Sequence, residues 1–338
     1  MLGIIDATTY NKSLHNLTKK RSMAAIPFGG RYRLIDFVLS NMVNSEIESV
    51  AIFPKYQYRS LMDHLGSGKE WDLNRKRDGL FFFPSPNLDE SSKKFGSFKQ
   101  FENHIEYFLR STQKYVVIAN SYTVCNIDFQ TILDWHIEED CDITEVRHNG
   151  RSLEMFILKT SLLLNFITNH EKSGYESIFD VVKDYQHNLK ICHYDYNGYA
   201  AVIDSMENYY LHSLKLLNPD IWKQLFLQSS PILTKVKDEP PTRYVNGSVV
   251  KNSMIANGCV IEGQVENSII FRGVKIAKGT VIKNSIVMQK SQIGENCVLD
   301  TVILDKDVKV ENNVRITSTG NTPHVICKGT IQGVLMNS

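Results

Sequence analysis

The sequence predicts an α/β N-terminal domain followed by a parallel β-helix, and three observations carry that expectation. Leu2-Gly3-Ile4-Ile5 is an apolar run of buried-strand type, and Ser49-Val50-Ala51-Ile52-Phe53 is a second. Between them, Leu34 to Val43 has apolar residues at 34, 35, 38, 39, 42 and 43, a one-sided helical stripe. Strand, helix and strand in that order open a crossover-connected parallel sheet. In the second half, Ile276, Ile293 and Val310 recur in steps of 17 residues, as do Val265, Ile282 and Leu299. A fixed period near three hexapeptides indicates stacked β-helix coils; the strands of an antiparallel meander would not keep it across three turns.

The 338 residues suggest two domains, 1–237 and 238–338. Leu211 to Leu227 reads as helix, split by Pro219, and the chain changes character near Asp238-Glu239-Pro240-Pro241-Thr242-Arg243-Tyr244. Beyond it, Ile276-Ala277-Lys278-Gly279-Thr280-Val281 and Ile293-Gly294-Glu295-Asn296-Cys297-Val298 place an inward aliphatic residue, a small neighbour, and Gly or Asn at a corner. Acyltransferases built on such coils place a histidine between them, and residues 243–320 contain none. Exposed sheet faces in the coil domain point to oligomerisation.

Hydrophobic content of 42% and charged content of 22% are ordinary for a globular protein, and the net charge of +1 gives no bulk attraction to nucleic acid or anionic membrane. No apolar run is long enough to span a bilayer and no signal-peptide pattern opens the chain, so a cytoplasmic location is expected. Cys125, Cys141, Cys192, Cys259, Cys297 and Cys327 show no metal spacing and read as buried thiols. Lys69 to Arg77 followed by Phe81-Phe82-Phe83 mixes bases and aromatics; a loop over the cleft or a partner contact fits it better than nucleic acid, because Glu70, Asp72 and Asp78 dilute the charge. Asn87 to Gly96 is polar and is expected to be disordered at its tip.

Leu17-Thr18, Lys20-Arg21, Phe28-Gly29-Gly30, Tyr32-Arg33, Ile35-Asp36-Phe37 and Leu39-Ser40-Asn41 match, in register, the opening motif of the glucose-1-phosphate adenylyltransferases, or ADP-glucose pyrophosphorylases. The chain resembles that family over nearly its whole length. The resemblance implies a Rossmann-like, GT-A-like nucleotidyltransferase domain and a left-handed hexapeptide β-helix.

The departures fall where such an enzyme works. A phosphate-cradling loop needs glycines, so that backbone N–H groups can approach the phosphates, and an arginine to pair with them. Those glycines align with Thr8, Thr9 and Asn11, and the arginine aligns with Ser13. The lysine of the next motif aligns with Met23. The two aspartates that hold Mg²⁺ in the family align with Tyr122 and Val202, so no Mg²⁺ or other metal is expected at the family site. A sugar-side glycine aligns with Glu154, and the Gly-Thr-Ala-x-Ala run beside the base aligns with Gly96-Ser97-Phe98-Lys99-Gln100. Residues 145–151 are all that connects two strands where the family carries a Glu-Lys-Pro strand; a short connection and an internal gap both fit.

This pattern resembles the non-catalytic, GlgD-type companion of the glycogen-pathway adenylyltransferase. It implies a regulatory chain with no catalytic residues, assembled with the catalytic subunit in a hetero-oligomer, a tetramer being expected. A weakly active transferase with an atypical metal site is the alternative. By the same resemblance, Lys20, Arg21 and Arg33 are candidates for binding a sugar-phosphate or nucleotide effector, against the reading that they are solvated or bridge to another subunit. Lys55 stands where relatives carry a relay glutamine.

Overall fold

A computed structural model of the chain describes residues 1–75, 77–85, 95–184, 188–226, 229–318 and 322–333. The N-terminal strand β1 (Leu2–Ala7) is followed by α1 (His15–Thr18), the small ribbon β2 (Pro27–Phe28) and β3 (Tyr32–Arg33), α2 (Leu34–Asn44), β4 (Ser49–Pro54), α3 (Arg59–Leu65) and β5 (Gly79–Phe82). Next come α4 (Phe98–Glu102), α5 (Ile105–Arg110), β6 (Tyr115–Asn120), β7 (Thr123–Cys125), α6 (Phe129–Glu138), β8 (Ile143–His148) and β9 (Arg151–Lys159). The domain closes with α7 (Thr160–Ser173), α8 (Ile178–Lys183), β10 (Ile191–Asp195), β11 (Ala200–Val202), α9 (Met206–Lys215) and α10 (Pro219–Phe226).

Seven strands form one mixed sheet in the order β10-β8-β9-β6-β1-β4-β5, with β9 antiparallel to both neighbours. The predicted strand, helix, strand opening is present, and Pro219 begins α10 after a break in the helical run. The connection at 145–151 is a two-residue hairpin: His148 pairs with Arg151, while Asn149 and Gly150 take φ of 50° and 74°. Asn-Gly with two positive φ values is the turn whose twist matches flanking antiparallel strands, a signal in the sequence that alignment to a longer family loop hides.

Helix α2 departs from the one-sided stripe. Every residue from Leu34 to Met42 is buried. Ile35, Val38, Leu39 and Met42 pack toward the sheet, whereas Leu34 and Phe37 join a second core with Phe28, Tyr209 and the β-helix residues Ile269, Phe271 and Ile286. Gly3 lets the helix lie close, since a Cβ there would come 2.8 Å from Met42 Sδ. Its polar residues find internal partners, as burial demands: Asp36 accepts from Arg33 N at 2.9 Å and Thr234 Oγ1 at 2.6 Å and lies 2.6 Å from His64 Nε2, while Ser40 Oγ accepts from Trp71 Nε1 and Leu233 N.

From Arg243 onward, short parallel strands stack into three sheets, the faces of a left-handed β-helix. Ile276 pairs with Ile293 and Ile293 with Val310, and Val265, Ile282 and Leu299 stack likewise, so the 17-residue period is the coil repeat. Two coils depart from it. Gln264 lies beside Val249, a step of 15, because a shortened corner ends at Gly263, where a Cβ would stand 2.3 Å from Thr280 O. Ile331 lies beside Lys309, a step of 22.

The cysteine expectation needs correction. Cys141 and Cys192 form a disulfide closing a separation of 51 residues, worth about 4 kcal/mol on a chain-entropy basis. Neither spacing nor motif announces it. Cys125, Cys259 and Cys297 are buried free thiols, as expected, and Cys327 is half-buried. In the 69–83 region, Arg75 pairs with Glu48 and Asp72, Trp71 is buried, and Phe81 and Phe83 pack on Tyr107, each at 5.0 Å. Of the polar tract from Asn87 to Gly96, residues 87–94 lie outside the described ones. No helix among the described residues is long and apolar enough to cross a membrane.

Among the described residues, the two parts of the chain are joined by an apolar core, by the Tyr210 hydroxyl donating to Asn284 O, and by the ion pair of Arg21 Nη2 with the Asp305 carboxylate at 2.8 and 3.0 Å, both residues being 2% exposed. Removing one member strands a buried charge, so Asp305→Ala is expected to cost about 3–5 kcal/mol in urea denaturation, and the double replacement Arg21→Met with Asp305→Leu to recover most of it. On α9, burial and then Lys215 push His212, 2.7 Å from the Tyr199 hydroxyl, down to about 4. The unfolded chain takes that proton near pH 6.5 while the folded chain does not, so stability falls on acidification from about pH 6.5 towards pH 4. Thermal midpoints across that window should fall less steeply in His212→Gln.

Candidate functional site

In open α/β sheets, ligands bind outside the carboxyl ends of the parallel strands, here the ends of β1, β4 and β6. At the end of β1, Asp6 is fully buried and accepts from Thr8 N at 2.8 Å, Thr8 Oγ1 at 2.6 Å and Gly96 N at 2.6 Å. Burial raises the pKa of this carboxyl, and those hydrogen bonds oppose the shift. The loop after β1 is tied to itself. Asn11, at φ −116°, accepts from Ser13 N and caps the 3-10 turn Lys12–Leu14, and its amide donates to Asp204 O. Thr8 and Thr9 also stay outside the left-handed region, so none of the three aligned glycine positions uses the conformation glycine would supply.

At the end of β6, Asn120 organises the floor. Its amide donates to Leu153 O at 2.9 Å and Thr123 Oγ1 at 3.0 Å, and its oxygen accepts from Tyr122 N and Thr123 N. β7 and β11 form an antiparallel ribbon with Val202 opposite Thr123, and Ile203 N donates to Tyr122 O at 3.1 Å. Tyr122 and Val202, 80 residues apart in sequence, are therefore brought together at the end of one ribbon. Glu154 joins them from β9: the Tyr122 hydroxyl donates to its carboxylate, Asn120 approaches it at 3.4 Å, and Thr9 hydrogen-bonds the phenol. Burial, then the Glu154 charge, drives the Tyr122 phenol far above its ordinary value, and burial raises Glu154 as well. Glu154 sits at φ 55°, a left-handed backbone at the position aligned with a glycine.

A cavity of about 510 Å³ opens beside this floor, lined by Thr9, Tyr10, Lys12, Arg21, Met23 and Tyr56 among others. Met23 is buried with Leu14, Leu17 and Ile26 and offers no charge to an anion. Ser13 is exposed, Phe98 and Gln100 are buried, and Lys55 is buried with its ammonium 5.4 Å from the Tyr56 ring centre. No group of three His, Cys, Asp or Glu side chains among the described residues could hold a metal ion.

The three cations singled out in the sequence occupy different settings. Arg21 is committed to Asp305 through Nη2, while its Nη1 is buried without a partner. Arg33 donates to Ser60 O at 2.6 Å and Ser60 Oγ at 3.1 Å, and burial pushes its guanidinium down to about 10. Lys20 is exposed. The β-helix adds Lys306, which burial and then Arg33 and Arg21 push down to about 7. Lysine is common at coil corners and carries no local signal, so only the docking of the two domains reveals its place in this cluster.

The two halves match separate family models, Nucleotidyl transferase over residues 3–150 and GlmU-like, C-terminal hexapeptide over 240–334. The chain is 60% identical over 338 residues to the glycogen biosynthesis protein GlgD of Bacillus subtilis (strain 168) and 65% identical to that of Geobacillus stearothermophilus, covering all of this chain and 98% of each relative. The chain belongs to the GlgD family. It is also 28% identical, over 93% of both chains, to the glucose-1-phosphate adenylyltransferase of Bacillus cereus. GlgD chains are thus named for glycogen biosynthesis and are related to that enzyme family.

If the Tyr122–Glu154 contact holds this floor together, Tyr122→Phe leaves a half-buried carboxyl with only the long Asn120 contact as donor and should cost about 1 kcal/mol of stability at pH 7. Glu154 has a raised pKa, so acidification through it neutralises the group and should shrink that cost. Denaturation of the two proteins in a pH series running down from pH 7 checks both points.

Proposed function

We propose that this GlgD chain is a regulatory, catalytically inactive subunit that assembles with a catalytic glucose-1-phosphate adenylyltransferase chain and shifts its conformational balance during ADP-glucose synthesis for glycogen. The carrying observation is the side-chain filling of the cleft floor. Tyr122, Val202 and Glu154 converge where adenylyl transfer needs metal-holding carboxylates and room for phosphate. Losing one strong electrostatic stabiliser costs roughly 10²–10³ in rate, and here the loop glycines, loop arginine, lysine and both metal ligands are proposed to be replaced together.

On this reading Thr8, Thr9, Asn11, Ser13, Met23, Tyr122, Glu154 and Val202 are the substituted positions, and no Mg²⁺ binds there. Lys20, Arg21 and Arg33 form the phosphate side of an effector site, the complex is a hetero-tetramer, and its compartment is the cytoplasm. The regulatory content requires that the catalytic partner's states bind this chain with different affinity. A second reading, an atypical metal site in a weakly active enzyme, draws on Glu154 having Asp6 and Asp204 as charged neighbours. Against it, Asp6 already accepts three hydrogen bonds.

Purified chain with ATP, glucose 1-phosphate and Mg²⁺ should show no turnover alone and should raise the rate or substrate affinity of the catalytic subunit on mixing. Robust turnover alone eliminates the proposal, and no change on mixing removes its regulatory part. Calorimetric titration with Mg-ATP should show no binding tighter than about millimolar.

A further inference from the structure

Among the described residues, Cys141 and Cys192 alone are joined, and the remaining four of the chain's six cysteines are free. Three of those four thiols are sealed in the interior, and burial pushes Cys125 up to about 12. Cys192 is placed differently. It lies half-buried on β10, the outermost strand of the sheet, while Cys141 is buried just before β8. No residue of β10 from Ile191 to Asp195 is fully buried. Besides the cystine, it is held by the parallel ladder to β8, by the exchange in which Lys190 N donates to Asp142 Oδ2 and Asp142 N to Lys190 O, by His193 Nδ1 at 3.1 Å from Glu145 Oε2, and by the half-buried Ile191 and Tyr194, the latter edge-on to Trp135. An edge strand with no fully buried residue sits at the low-stability end of a fold, where one cross-link weighs heavily.

The segment after β10 gives this clip its reach. Tyr196 donates its N–H to Arg147 O and its hydroxyl to Asn126 O, and six residues later the chain reaches Val202 on the ribbon at the cleft floor. Ile203 then bonds Tyr122 O and enters the interdomain core. Sheet edge and cleft floor are one short segment of chain.

We infer that Cys141–Cys192 is a redox-modification site, opened by a dithiol reductant and closed again by thiol exchange with a disulfide, which is itself reduced to two thiols, and that its opening loosens residues 191–203. A thiolate of the reductant attacks the sulfur of Cys192, the less buried of the two residues, the S–S bond breaks, and Cys141 leaves as thiolate and takes a proton. The second thiol of the reductant attacks its own sulfur in the mixed disulfide and releases Cys192, so the cystine gains two electrons and two protons and the dithiol becomes a disulfide. The clip would act in this way whether or not the chain turns over substrate.

Alkylation of the air-oxidised full chain under denaturing conditions, read by mass spectrometry, should label four of the six cysteines and recover a 141–192 cross-linked peptide, with all six labelled after dithiothreitol. Amide exchange over 191–203 should then quicken about tenfold on reduction while β1 and α2 stay unchanged. The double variant Cys141→Ser with Cys192→Ser should match the reduced protein and ignore dithiothreitol; should it fail to fold, oxidised against reduced wild-type chain decides the matter. Six labelled cysteines before reduction, or the same exchange at 191–203 in both redox states, overturns the inference.

Discussion

Burial of α2 on all sides is the constraint around which this chain is arranged. A helix enclosed from Leu34 to Met42 needs internal partners for Asp36, Ser40 and Asn41, because each orphaned group costs on the order of 1–3 kcal/mol; Asp36 and Ser40 find them, and Asn41 does through its amide nitrogen while its Oδ1 stays unpartnered. The partners come from distant parts of the sequence: His64 from α3, Trp71, the Cys125 carbonyl on β7, and the strap at Leu233 and Thr234. Satisfying one helix thus fixes the sheet, the ribbon and the approach to the β-helix together. It also gives the motif residues of this region a structural reason for their identity, independent of any chemistry in the cleft.

The cleft floor illustrates how a polar site can be closed without becoming apolar. Asn120 spends both ends of its amide on the backbone of its own turn and on Leu153. Tyr122 and Glu154 satisfy each other at a depth where either alone would be costly. The loop after β1 is held in place by Asp6 and Asn11, with Thr9, Tyr10 and Lys12 facing the neighbouring cavity.

Much of this architecture is legible in the sequence. The apolar runs at 2–5 and 49–53, the break at Pro219 and the 17-residue coil period are local signals, and the structure follows them. The features that are not legible are non-local. A stripe on α2 shows one buried face, and the second appears only when the β-helix docks on Leu34 and Phe37. Cys141 and Cys192 meet because β10 returns beside β8, and no spacing announces that register. Lys306 joins Arg21 and Arg33 across the domains for the same reason. The left-handed backbone of Glu154, at φ 55°, is likewise set by its surroundings and not announced by its residue type.

The shortened corner at Gly263 has a consequence for how such a coil can vary. The step between stacked strands is 15 residues there, 17 in the next coil and 22 at the last, yet the strands above and below remain paired. Perimeter is therefore set at the vertices, and the faces do not register it. Insertions and deletions confined to vertices change the outline that a neighbouring molecule meets while leaving the stack itself intact, so the solenoid can diversify its contacts without renegotiating its interior.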